Sequence, residues 1–449
     1  MCRFGTTSDV EYRKVAAALE RIIEKGLKSK VPLSADDRIK LIDLLRFDQI
    51  AYRHASIKAA HASTCSWLLD DVAYKAWLDT GLRSTHHGFL WIKGKPGAGK
   101  STVMKFAYEK SKRIYQQSSS SIVLSFFFNA RGERLEKSVE GMYRSLLYRL
   151  LTQIEGLQID IGDLVLSDNM TWNVGALRGL FESAIRNLED RRLTCFIDAL
   201  DECPLKEVQE LVKDFQTLGQ LATELGVSFS VCFSSRHYPH VRIQKAIEIV
   251  LEERPEHVSD IKKVIDQDLK IGNDGDDVEY IRKEMVERAQ GIFLWVVLVI
   301  RILNEEYSDG RVHRLRKRLE ELPTDSHQLF RDMLTRDAKN IDELILCLQW
   351  VLFAKTPLSR EELYFAILAG TEDEVPEWNR AVVTYKVIEK FILSSSKGLI
   401  EVMRGGRQAV QFIHESVRDF LLKDNGLATI REDLKFNFRG KSHNSKLAA

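Results

Sequence analysis

The stretch Gly94-Lys95-Pro96-Gly97-Ala98-Gly99-Lys100-Ser101 constrains this chain more than any other. It matches the phosphate-loop pattern GxxxxGK[ST] in full. An apolar run at 88–92 reads as a strand before it, and an amphipathic stretch at 102–111 reads as a helix after it. Glycines at this spacing let backbone N–H groups turn inward around phosphate oxygens, where the helix N-terminus adds partial positive charge. Lys100 supplies a point charge for phosphate, the Ser101 hydroxyl is a ligand for Mg²⁺, and Thr102 completes the cradle. A glycine-rich turn that matches by chance is the competing reading. The order of strand, loop and helix weighs against it.

The surroundings agree with this reading. Between about 81 and 255, short apolar runs at 88–92, 122–128, 193–197, 227–233 and 247–251 alternate with longer amphipathic stretches. Such alternation predicts βαβ units, hence an α/β fold with a parallel sheet covered by helices on both faces. Residues 1–80 read as a helical N-terminal segment, with apolar periodicity at 15–27 and 39–50 and Ser34 placed to cap the second helix. Residues 256–335 read as a helical domain.

From 336 to 423 the plan changes: a helix at 341–353, a capping box at Ser359 and Glu362, strands at 399–403 and 408–413 around Arg404-Gly405-Gly406-Arg407, and a closing helix at 415–422. This predicts a winged-helix module. Residues 424–449 are expected to form a disordered tail.

Composition narrows the function. Lys plus Arg total 66 against 65 for Asp plus Glu, a formal charge of +1, which gives no electrostatic reason to bind nucleic acid or an acidic surface. The basic run 311–318 reads as a solvated helix face. The six cysteines, at 2, 65, 195, 203, 232 and 347, form no CxxC pair and read as buried thiols in a reducing compartment. No apolar segment follows a basic start, and the greasiest run, 292–300, is far short of the roughly 20 residues needed to span a bilayer. A cytoplasmic protein is expected.

Other residues carry the chemistry. The apolar strand at 193–197 ends in Asp198, a carboxylate delivered to the carboxyl edge of the sheet, where it would hold Mg²⁺ directly or through water. Ala199 follows, where many hydrolysing ATPases carry a glutamate. Asp201 and Glu202 come slightly later as candidates to orient the attacking water, or as mere caps of the next helix. The strand at 227–235 leads into Arg236, which either stabilises a γ-phosphate or makes a surface ion pair. His237 and His240 have metal-like spacing, but Pro239 lies between them and no third ligand is evident. His414 ends the second wing strand and is by itself an ordinary structural histidine.

Together these residues resemble the NACHT class of signal-transducing STAND ATPases, in particular the fungal NLR-like proteins related to heterokaryon-incompatibility factors. The resemblance runs through 88–102 (GFLWIKGKPGAGKST), 195–204 (CFIDALDECP), 228–239 (SFSVCFSSRHYP), 291–299 (GIFLWVVLV) and 411–422 (QFIHESVRDFLL). Upstream, 44–69 looks like the helical segment before the P-loop in the same proteins and like the nephrocystin-3-like NTPase segment. It implies a P-loop NTPase that binds ATP or ADP with Mg²⁺, in which Asp198-Ala199-Leu200-Asp201-Glu202 follows the class pattern. By the class topology, the strand before Arg236 lies between the strands of the P-loop and Asp198. His414 matches a winged-helix histidine that contacts ADP phosphate in a closed state. The implied cycle is ADP release, ATP binding, opening, self-association and slow hydrolysis as reset, with an unknown signalling partner. The expected sensor repeats after the winged helix and an effector domain before residue 40 are not seen in this sequence. A nucleotide-holding scaffold and a nucleic-acid-dependent ATPase are the alternatives.

Overall fold

The computed structural model describes residues 34–431 and 434, apart from 51, 62, 117, 119, 158, 160–171, 238–242, 273–274, 336–339, 373–377, 404–407 and 424–425. The helix expected at 15–27, His240 and the end of the tail lie outside the described residues. The chain divides into two units, one comprising 1–95 and 99–260, the other 96–98 and 261–449.

The first unit is built on a five-stranded parallel sheet. Its strands are β1 (Phe89–Lys93), β2 (Ser121–Phe127), β3 (Arg192–Asp198), β4 (Ser228–Ser235) and β5 (Ile247–Val250), in spatial order β2-β3-β4-β1-β5. The strand leading to Arg236 therefore lies between those of the P-loop and Asp198, as the class topology requires. Strands β1 to β4 are almost wholly buried, which is why they read as continuous apolar runs rather than alternating ones, whereas the edge strand β5 buries only Ile249.

Both faces are covered. Helix α5 (Lys100–Tyr115) packs on one face, its Tyr108 ring edge-on to Phe196 of β3. Helices α6 (Val139–Gln153), α7 (Val174–Arg186) and α8 (Leu205–Glu224) cover the other, where Tyr143, Phe181, Phe215, Phe229 and Phe233 form an aromatic cluster. Burial of such large rings is the main stabilising term of the unit, at roughly 25 cal/mol per Å² of apolar surface removed from water.

The segment ahead of the P-loop is part of this unit rather than a separate module. It contains α1 (Ala35–Leu45), α2 (Tyr52–Ser56), α3 (Val72–Leu78) and α4 (Arg83–His86). Ser34 caps α1 as expected, accepting from the Asp37 amide at 3.1 Å. Two arginines tie α1 to α6 reciprocally. Arg38 donates to the carbonyls of Leu151, Ile154 and Leu157 at the end of α6, and Arg144 of α6 donates to those of Leu44, Leu45 and Arg46 at the end of α1. Cations at helix C-termini satisfy the orphan carbonyls and complement the dipole. Further on, the indole of buried Trp77 donates to the Gly88 carbonyl at 2.8 Å, and Arg83 to the Val227 carbonyl at 2.7 Å.

Helix α9 (Pro255–Asp268) carries the division between the units. The second unit then holds α10 (Asp276–Ala289), α11 (Phe293–Ser308), α12 (Leu315–Glu321), α13 (Ser326–Thr335), α14 (Ile341–Phe353), α15 (Arg360–Thr371), α16 (Tyr385–Ser395), β6 (Ile400–Val402), β7 (Val410–Phe412), α17 (Glu415–Lys423) and α18 (Gly426–Ile430). The regions expected as two modules, 256–335 and 336–423, share one core that runs from Ile261 to Leu434.

The greasy run is indeed a buried helix, α11, with Trp295 and Val299 fully covered. The capping box at Ser359 and Glu362 is present, and β6 and β7 pair antiparallel with Ile400 opposite Phe412. Three features differ from expectation. Helix α16 is an addition to the expected plan, with Ile388, Ile392 and Ser395 on its buried face at helical spacing. The tail begins with ordered α18, whose Leu427 is buried. Arg318, within the basic run, is buried against Asp332 at 3.2 Å rather than solvated, because α12 turns that side inward with Leu315 and Leu319.

The five described cysteines are all buried and none is in a disulfide. Among the described residues no helix is long and apolar enough to cross a membrane.

Candidate nucleotide site

The site is assembled at the carboxyl edge of the sheet. The chain leaves β1, turns through the P-loop and enters α5 at Lys100. Gly97 and Gly99 adopt positive φ of 79° and 93°, a conformation that would strain a side-chain-bearing residue. Gly99 is the N-cap of α5 and offers no side chain, so the first amides of the helix are left for a ligand. The Lys100 ammonium lies in the loop, donating to the Gly94 carbonyl at 2.8 Å and the Lys95 carbonyl at 3.0 Å. Burial lowers its pKa, and the Asp201 carboxylate opposes that shift. Thr102 follows, half-buried, in the first turn of α5.

Asp198, the last residue of β3, is completely buried. Its Oδ1 accepts the Ser234 hydroxyl at 2.5 Å, and the Ala199 amide donates to that same hydroxyl oxygen at 2.8 Å. Ser234 can do this because Ile197 of β3 is in register with Phe233 of β4, which sets the next residues side by side. Burial raises the Asp198 carboxyl to about 6, while Ser101, Ser234 and Arg53 pull it back. Ser101 thus lies near enough to steady the charge, yet among the described residues Oδ2 is buried with no hydrogen-bond partner. An orphaned carboxylate oxygen beside a serine hydroxyl is costly unless a cation joins it, and two hard oxygen donors suit Mg²⁺. The residues present fit that ion.

The two later acids do not cap α8, whose N-cap is Pro204 and which has no side-chain cap bond. Each instead meets an arginine. Asp201 accepts from the Arg236 amide at 3.0 Å and from its Nε at 2.9 Å. Glu202 accepts from the Ala130 amide at 2.8 Å and lies 3.8 Å from the Arg53 guanidinium. Both carboxylates are engaged, and Arg236 is held beside the site by an acid rather than on an exposed surface pair.

His237 pairs with Glu252 at 2.5 Å. Burial pushes the Glu252 carboxyl up, but the His237 hydrogen bond and nearby amides outweigh it and hold the group below its ordinary value. Its other oxygen accepts the Lys95 amide of the P-loop at 3.3 Å.

Lys100, Ser101, Asp198, Asp201, Glu202 and Arg236 thus converge in the first unit. His414 belongs to the second. Its Nδ1 accepts the Ser416 amide at 3.0 Å and lies 2.8 Å from the Ser416 hydroxyl, an arrangement that caps α17. Three residues escaped the sequence reading: Ser234, Glu252 and Arg53. Ser234 had a weak signal, a serine at the end of a buried strand. The other two had none, because their relevance comes only from folding.

Comparison with known proteins agrees with this geometry. Residues 63–236, which hold the P-loop, Asp198, both acids and Arg236, match the family described as nephrocystin 3, N-terminal. The chain is also 28% identical over 383 residues to the vegetative incompatibility protein HET-E-1 of Podospora anserina, covering 79% of this chain. The P-loop segment is thus similar to the nephrocystin 3 N-terminal family, and the chain is similar to a fungal incompatibility protein. The match spans 26% of the length of HET-E-1, so this chain is similar to only one part of that protein. Solved structures resemble it loosely. Drosophila ORC bound to DNA shows 13% identity and a TM-score of 0.40 over 89% of this chain and 94% of that one. The ORC2 protein of Aeropyrum pernix shows 13% identity and 0.38 over 85% and 98%.

Proposed function

We propose that this chain is an ATP/ADP-dependent signalling switch of the NACHT type, acting in the cytoplasm, that binds Mg-ATP and self-associates in that state. The observation that carries the reading is the buried, unpartnered Asp198 Oδ2 beside Ser101, at the start of a helix whose first amides are uncapped. The P-loop amides and Lys100 would take the phosphates, and Ser101 and Asp198 would hold Mg²⁺. The ion supplies charge neutralisation at the phosphates. Lys100 must turn from the Gly94 and Lys95 carbonyls toward the nucleotide, exchanging weak acceptors for charged ones.

Arg236 would release Asp201 as negative charge accumulates opposite it, freeing Asp201 to orient water for slow hydrolysis, with Glu202 the other candidate from its place beside Arg53. In this reading 336–423 is a winged helix, and His414 ties it to ADP phosphate in the closed state. Light scattering in ADP and in a non-hydrolysable ATP analogue tests the switch, with a larger mass expected in the analogue. Equal mass in both defeats it. A second reading, a scaffold that keeps its nucleotide without turnover, is favoured by one observation: both candidate acids are engaged. Nucleotide retained through purification, with no phosphate release, would establish that reading instead.

A further inference from the structure

We propose that Arg53 is a positioning residue of the nucleotide site, through which the helical segment ahead of the P-loop governs Glu202. The inference rests on reading the first unit as an ATPase. Arg53 sits on α2, and that short helix is held in place by the two helices nearest the site. Lys105 of α5 donates to the carbonyls of His54 at 3.0 Å and Ile57 at 2.6 Å, and Arg149 of α6 donates to that of Ile50 at 2.9 Å. His54 packs its ring against Tyr108 of α5 and Phe127 of β2. The helix leaving the P-loop therefore carries α2 with it.

From this anchorage the Arg53 guanidinium reaches Glu202 at 3.8 Å, with side chains only 13% and 10% exposed. The pair is shielded from solvent, so its attraction is stronger than that of a surface bridge. The backbone amide of Ala130 fixes the other Glu202 oxygen, which leaves Arg53 to set the direction of the carboxylate. Its charge also favours the ionised form of Asp198.

Among the described residues Arg53 Nε is buried without a hydrogen-bond partner, so the guanidinium is anchored through its Nη2 contact with Glu202. The side chain links α2 to the acid after β3, and that acid in turn holds the Ala130 amide in the loop after β2. Movement of the upstream segment changes the Glu202 pair directly, so what happens at residues 34–57 reaches the chemistry without passing through the P-loop.

The test uses the full chain and the variants Arg53→Ala, Arg53→Lys, Glu202→Gln and the Arg53→Ala/Glu202→Gln double. Arg53→Ala is expected to lower kcat about tenfold with KM for ATP nearly unchanged, and Arg53→Lys to recover part of the loss. The double variant is expected to be no slower than the slower single, since both act through one carboxylate. Unchanged kcat, multiplied losses, or a fall in kcat and KM together with no rescue by lysine overturns the proposal.

A wild-type chain that binds ATP without turnover defeats the hydrolytic part of the proposed function instead, and hydrogen exchange then decides for Arg53. ATP should alter amide protection at 52–57 in the wild type, partly so in Arg53→Lys, and not in Arg53→Ala. The same change in all three would overturn the positioning role.

Discussion

Ser234 bridges Asp198 and the backbone that follows it, donating its hydroxyl to the carboxylate at 2.5 Å while accepting the Ala199 amide at 2.8 Å. One serine thus fixes both the carboxylate and the sharp turn after it, where Ala199 adopts φ of 61°. The strand hands its carboxylate to the site in one orientation, with Oδ2 left over.

The pH behaviour follows from that burial. Asp198 titrates at about 6, above the ordinary 3.8, so the folded chain holds this proton more tightly than the unfolded one. In the nucleotide-free protein, stability therefore falls as pH rises from about 4 to about 6, by about 3 kcal/mol for a two-unit shift. Mg²⁺-supported ATP binding runs the other way and is lost as pH falls through 6. Asp198→Asn should raise the melting temperature of the nucleotide-free chain at pH 8 and remove the Mg²⁺ dependence of binding. A lower melting temperature at pH 8 would show that the charge is better compensated than the geometry indicates.

Lys100→Ala should weaken ATP binding at least tenfold, about 1.4 kcal/mol or more, in a calorimetric titration. The nucleotide-free fold should survive, since among the described residues the hydrogen bonds of the ammonium go to the Gly94 and Lys95 carbonyls of the P-loop itself. Unchanged affinity in a folded variant removes the nucleotide site itself.

Asp201→Asn should lower turnover with ATP affinity near wild type, for a reason the pairing makes specific. The change removes the charge that holds Arg236 from two directions. Arg236→Ala should give a similar loss, and the double variant should be no worse than either single if the two act as a unit. Phosphate-release rates decide this, and full multiplication of the two losses would separate the residues.

His414→Ala carries two expectations that calorimetry separates. Loss of the Ser416 contacts should cost on the order of 1 kcal/mol through α17, lowering the melting temperature in any nucleotide. If the imidazole also bonds ADP phosphate, ADP affinity falls and ATP affinity does not, because a term present in one state alone shifts the equilibrium between states. Equal losses for both nucleotides leave only the helix cap.

Much was legible from local pattern. The five strands, the P-loop, the Ser34 cap and the capping box at Ser359 and Glu362 each rest on neighbouring residues whose spacing dictates one backbone conformation, and so can be read along the chain. Asp198 was legible for the same reason, since an apolar run ending in an acid puts that acid at the sheet edge. The buried side of Arg318 was not legible, because a basic residue on a short helix faces inward only if the fold places an acid there.

The sequence by itself determined a parallel α/β unit with a phosphate loop and an acid facing it. Only the tertiary structure decided which partner each charge meets: Arg236 for Asp201, Arg53 for Glu202, His237 for Glu252. Hydrophobic periodicity is a local code, whereas a charge takes as partner whatever the folded sheet and helices bring within a few ångströms, however distant along the chain.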